Sequence, residues 1–149
     1  MKTIAIVFLL GFLAFVALAA DTTKVTVVID GRRVEPSPAV CPQIVERSVD
    51  LLVGCAYTSE KPNWGAPNEP RSMADARKQS HLHLVFSGPR KIEAPIRKGT
   101  VQAREIVITL PLTRAGIWVR SDEGTAYFAK FKPVVADRLQ KLLDEARQP

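Results

Sequence analysis

His81 and His83 stand two residues apart and are the only histidines in the chain. On a β-strand, residues i and i+2 project from the same face. Two imidazoles side by side have the chemistry to take Zn²⁺ or Cu²⁺. Such a site needs at least one more ligand, and Asp75, Glu93 and Glu105 are the acids within reach of that role. The same imidazoles suit a second chemistry. Cys41 precedes Pro42 at the start of an apolar stretch that reads as a helix. The dipole and free N–H groups at a helix N-terminus lower a thiol's pKa. A histidine on a later strand can then serve as its general base. The chain therefore carries two chemical readings: a cysteine hydrolase using Cys41 with His81 or His83, and a metal-binding protein using the histidine pair. Neither set is complete in the sequence. No catalytic residue, metal or cofactor is assigned from it.

The order of the two groups, a thiol opening a helix and then a histidine on a strand, is similar to that of papain-like and peptidoglycan-cleaving cysteine peptidases. The resemblance is one of order alone. Cys41 lies in Pro38-Ala39-Val40-Cys41-Pro42, without the signature residues those families place around the nucleophile. Other signatures are absent: no phosphate-cradling G-x-x-x-x-G-K-[ST] or G-x-G-x-x-G loop, no G-x-S-x-G elbow, no C-x-x-C pair.

The first 20 residues bear on compartment. Lys2 supplies a positive start, Ile4 to Val16 is apolar apart from Gly11, and Ala17-Leu18-Ala19 has the small-x-small form that a signal peptidase cuts. Residues 1–19 read as a secretory signal peptide, and residues 20–149 as one small domain in the secreted or periplasmic space. Contact with a membrane would come only through this segment, left uncleaved. Lysine and arginine number 21 against 15 acids, a net charge of +6 that falls to +5 without Lys2. This balance favours anionic partners in general, such as lipid head groups, acidic polysaccharide or nucleic acid, without choosing among them; the partner is expected to be a protein or an anionic surface ligand, with no specific nucleic acid.

In an exported chain, the two cysteines, Cys41 and Cys55, are expected to form a disulfide. The periodicity between them argues otherwise. A continuous helix from 41 to 55 holds the two Cα atoms ~21 Å apart, whereas a disulfide needs them within ~7 Å. Pro42 and Gly54 are placed to shorten the helix at either end. The bridge and the uninterrupted helix exclude one another.

The elements that must position these groups follow from the patterning. Lys24 to Asp30 alternates as a strand, and Asp30-Gly31 turns it toward Arg32-Arg33-Val34. Cys41 to Gly54 is a buried helix. Tyr57 to Ser72, with Pro62, Pro67 and Pro70, is a long loop holding Trp64. Ser72 to Lys78 has the makings of one or two helical turns. His81 to Phe86 is a strand ended by Gly88-Pro89, and Val101 to Leu110 is another. Gly116 to Arg120 and Thr125 to Phe131 form a hairpin. A helix opening at Pro133 presents Val135, Leu139, Leu142 and Ala146 as its stripe. Strands in the second half with helices packed on them mean α+β: an antiparallel sheet of about five strands with two helices. A helix on a curved sheet is similar at fold level to cystatin-like domains, whose Q-x-V-x-G motif is absent here.

The hairpin also defines a surface. With Arg120 opposite Thr125, Trp118 lies opposite Tyr127, and Trp118, Arg120 and Tyr127 share a face suited to protein, carbohydrate or anion contact. Trp64, in its loop, is the fourth candidate contact residue. Arg90, Lys91, Arg97, Lys98 and Arg104 crowd one segment and suit an anionic surface. The chain thus reads as an exported, non-catalytic binding domain.

Overall fold

Strict alternation shapes the first strand: Val25 and Val27 are buried on one side of β1 (Lys24–Ile29). Asp30 and Gly31 follow with φ of 49° and 76°, the left-handed pair that a tight two-residue hairpin requires. They return the chain as β2 (Arg32–Val34). Then come α1 (Cys41–Val53), β3 (Tyr57–Ser59), α2 (Met73–Ala76), β4 (His81–Ala94), β5 (Gly99–Thr109), β6 (Ile117–Ser121), β7 (Gly124–Ala129) and α3 (Pro133–Glu145). The computed structural model describes residues 22–59 and 69–147. The apolar N-terminal run and Trp64 fall outside the described residues.

All the strands join one antiparallel sheet in the order β2-β1-β4-β5-β6-β7-β3. Among the described residues there are seven strands and three α-helices, which corrects the expected five strands and two helices while leaving the class broadly α+β. The difference has local causes. β3 is three residues at a sheet edge, beside a proline-rich stretch, and too short to show a period. The single turn of α2 is held by its cap, Ser72 Oγ accepting from Asp75 N at 3.1 Å.

The helices α1 and α3 pack on each other and on one face of the sheet. Ile44, Leu51 and Leu52 from α1 and Ala136, Leu139 and Leu143 from α3 meet Val27, Leu82, Leu84, Ile106, Ile108, Ile117 and Phe128. Each such buried side chain contributes ~1.5–3 kcal/mol. The fully buried stripe of α3 lies one residue from part of the expected one: Val135 and Leu142 are only half-buried.

β4 does not stop at Gly88-Pro89. Val85 pairs with Glu105 and Arg90 with Ala103, so four residues of β4 (Phe86 to Pro89) face the single Arg104 of β5. The proline and glycine sit in this bulge, where no ladder bond is lost. Beyond it, β4 and β5 continue as a two-stranded arm whose Ile92, Ala94, Val101 and Ala103 still reach the main core. The arm ends in a turn at Pro95–Arg97 that comes close to β3.

Candidate functional site

The helices cover one face of the sheet, and the candidate chemistry sits on the other. Cross-strand pairs share a face, so one row holds Thr26, His83, Val107, Trp118, Tyr127 and Ser59. The next row holds Lys24, Val85, Glu105, Arg120 and Thr125. The hairpin register thus places Trp118 opposite Tyr127 and Arg120 opposite Thr125.

The two rings are not available as a surface. Trp118 is 3% and Tyr127 8% exposed. Met73 and Ala76 of α2 lie on them and on Val107, forming a second, smaller core. The rings themselves pack at 4.9 Å between centroids. The aromatic half of the expected contact face is therefore buried beneath α2. Arg120 alone of that set stays open, with 56% of its side chain exposed.

Arg120 leads to the centre of the site. Glu105 has only 2% of its side chain exposed. Its Oε1 meets the Arg77 guanidinium and receives His83 Nε2 at 2.7 Å, and its Oε2 meets the Arg120 guanidinium. Arg77 stands directly after α2, so docking Met73 and Ala76 over Trp118 also brings it to the carboxylate. Arg77 keeps 41% of its side chain exposed. Burial and the neighbouring Arg120 push its pKa below the ordinary value, the sign of two cations held close.

His83 is neutral here. Burial first, then Arg77 and His81, with Arg120 and Arg33 beyond, push its pKa down to about 4. Glu105 would draw it upward, but two guanidiniums already offset that charge. The neutral ring therefore donates its Nε2–H to the carboxylate. A cation at the histidine pair would face Arg77 and Arg120. His81 turns its Nδ1 to Gln79 O at 2.8 Å. Among the described residues, no group of three His, Cys, Asp or Glu could hold a metal ion.

The cysteines lie elsewhere. Cys41 opens α1 on the helical face and contacts the main core, while His81 and His83 project from the opposite face beside the buried Leu82. The sheet separates thiol from imidazole, so the hydrolase pairing is not assembled. Nor does the helix start activate Cys41: burial raises its pKa, outweighing the local backbone hydrogen bond. Its Sγ donates to Pro36 O at 3.5 Å, beside a cleft of about 460 Å³ that Arg90 and Glu46 also line. Cys55 is buried past the other end of α1 and donates to Leu51 O at 3.3 Å; burial pushes its pKa up to about 12. Both thiols are free. The expected disulfide between Cys41 and Cys55 gives way to an uninterrupted 13-residue helix that opens at Cys41 and ends at Val53, two residues before Cys55.

The basic segment is spread along the arm. Arg97 and Lys98 are exposed at its tip, Arg90 lies over the Phe86 ring at 5.6 Å, and Arg104 pairs with Asp122 at 2.5 and 2.9 Å. Arg77 was not among the residues singled out from sequence, and Glu105 entered only as one of three acids that could join the histidine pair at a metal. One signal was present: Glu105 is an acid inside the apolar run from Val101 to Leu110, at a position whose neighbours in alternation are Ala103 and Val107. Comparison of the chain with protein-family models, with curated proteins and with solved structures returns no match.

Proposed function

We propose that this chain is an exported, non-catalytic binding domain that takes an anionic group of its partner at Arg77 and Arg120. The observation behind this reading is the arrangement around Glu105. A buried carboxylate needs one cation and a few hydrogen bonds to be tolerated. Here two half-exposed guanidiniums and an imidazole share it. Each guanidinium has five N–H donors in a fixed fork. Glu105 anchors one side of each fork, which preorganises the donors for a second planar or tetrahedral oxyanion. The export reading of residues 1–19 sets the compartment in which that partner is met. An enzyme reading is not favoured, because the thiol and the imidazoles lie on opposite faces and the buried carboxylate is committed to two arginines.

Sulfate titration followed by NMR tests this. Saturable shifts are expected at the Arg77 and Arg120 side-chain Nε–H signals and at the Glu105 amide, weakened in Arg77→Lys and lost in Arg77→Gln. Shifts confined to Arg97 and Lys98 at the arm tip, or none that saturate, would refute the assignment.

A further inference from the structure

We infer that anion binding at Arg77 and Arg120 is coupled to protonation of His83, so that the site holds its anion more tightly in acid than at neutral pH. The inference rests on the anion-binding reading above and adds its regulation. The coupling follows from how Glu105 is shared. Its Oε1 takes both the Arg77 guanidinium and His83 Nε2, the latter at 2.7 Å, while its Oε2 takes the Arg120 guanidinium. His83 therefore stands one carboxylate away from both cations that would grip the anion. The neutral ring donates its Nε2–H to Glu105 and keeps Nδ1 for a proton. Protonation at Nδ1 leaves that hydrogen bond in place, so the ring can charge without dismantling the cluster. With 23% of its side chain exposed, the ring is open to protons from solvent.

The charges around the ring decide when that proton is held. Among the described residues, Glu105 faces His83 from β5, Arg120 from β6, Arg77 from just past α2, Arg33 from β2 and His81 from β4 itself. Lys24 of β1 lies two positions from Thr26, the cross-strand partner of His83. Glu35 pairs with Arg33, and Lys78 cancels Asp75 of α2. Lys24, Arg33, Arg77 and Arg120 against Glu35 and Glu105 leave two positive charges uncompensated. Burial first, and then the neighbouring cations, push the ring's pKa down to about 4. An anion on Arg77 and Arg120 removes the excess charge where it bears on the ring. Opposite charges ~8 Å apart at a half-wet surface favour one another by about tenfold. By reciprocity, what the anion adds to the proton affinity of His83, the proton adds to the anion affinity of the arginines. The domain then takes up its anion in acid surroundings and gives it back near neutrality.

Inorganic sulfate is the probe, since it carries no titrating proton across this range. In the native protein, NMR titration of the His83 ring should show a proton affinity about tenfold higher at saturating sulfate than in chloride of equal ionic strength. Calorimetry should find sulfate bound about fivefold more tightly at pH ~4 than at pH ~7, as one linked proton of that strength requires. His83→Gln should lose most of this difference. The ring titration needs no variant, so it decides the matter even where His83→Gln fails to fold. Three results would overturn the linkage: a His83 titration that sulfate leaves unmoved, a rise at His81 in place of His83, or a His83→Gln protein that keeps the full pH difference. Sulfate binding of equal strength at both pH values would overturn it too, while leaving the anion-binding reading standing. No saturable sulfate binding at either pH would remove both.

Discussion

Glu105→Gln should destabilise the native protein yet stabilise a variant that lacks both arginines, and this reversal of sign is the sharpest test of the cluster. In the native protein the amide loses its charge-assisted contacts to Arg77 and Arg120, each worth ~1.5–3 kcal/mol. Two effects offset most of that. Both guanidiniums are about half exposed and rehydrate. The several kcal/mol of desolvation borne by the buried carboxylate also disappears. A net loss of ~1–2 kcal/mol results. In Arg77→Gln/Arg120→Gln, by contrast, the carboxylate stays buried with only the His83 ring beside it, which carries no charge when the measurement is made well above the ordinary imidazole pKa of ~6.5. An uncompensated buried charge costs ~3–5 kcal/mol. Adding Glu105→Gln removes the charge, and ~2–3 kcal/mol should return. Urea unfolding reads both steps. With a slope of ~2 kcal/mol per M, the double arginine variant should unfold at ~1.5–2.5 M less urea, and the triple variant should recover about half of that. If Glu105→Gln destabilises both backgrounds, the arginines do not compensate the carboxylate and the reasoning fails.

Three further outcomes are expected. The pKa of His83 lies near 4 in the folded state against 6.5 ordinarily, so the unfolded chain binds more protons in between; its contribution to stability, up to about 3 kcal/mol, is complete above pH 6.5 and lost as pH falls toward 4. Urea midpoints across that range should flatten in His83→Gln, and a flat native profile would contradict the assignment. Thiol titration without reductant should find two free thiols per chain, with Cys41 reacting slowly in the native state and Cys55 only on unfolding, as its burial and a pKa of about 12 dictate; finding neither thiol until reduction would contradict this. Gly116→Ala should cost ~1–3 kcal/mol by overpacking, because its Cβ would stand 2.4 Å from Tyr127 Cε2, and Trp118 fluorescence should shift as the ring gives way.

Much of the fold could be read from short-range pattern. With Arg120 opposite Thr125 across a four-residue loop, alternation sets Trp118 across from Tyr127, a register that a slip of one residue would reverse and that the sheet adopts. What alternation cannot say is which face is covered, and by what. Four residues of α2, capped by Ser72, decide that the rings are core and that Arg77 meets Glu105. That contact joins residues 28 apart in the chain through a sheet face, so no local spacing announces it. Compartment pointed to a disulfide, but 13 helical residues keep Cys41 and Cys55 apart. Gly88-Pro89 resembles a strand end because both residues disfavour a ladder; in a bulge neither is asked to join one.

That bulge makes the two strands of the arm unequal toward insertion and deletion. Each residue of the arm in β4 takes its side from its partner in β5, not from the number of residues spent between Val85 and Arg90. Phe86 to Pro89 is therefore slack, a place where chain length can drift while both ends keep their partners. β5 has no such slack. One residue gained or lost between Ala103 and Glu105 would turn Val101 and Ala103 outward and Gln102 and Arg104 inward. The length of β5 is held to the residue, while that of β4 is not.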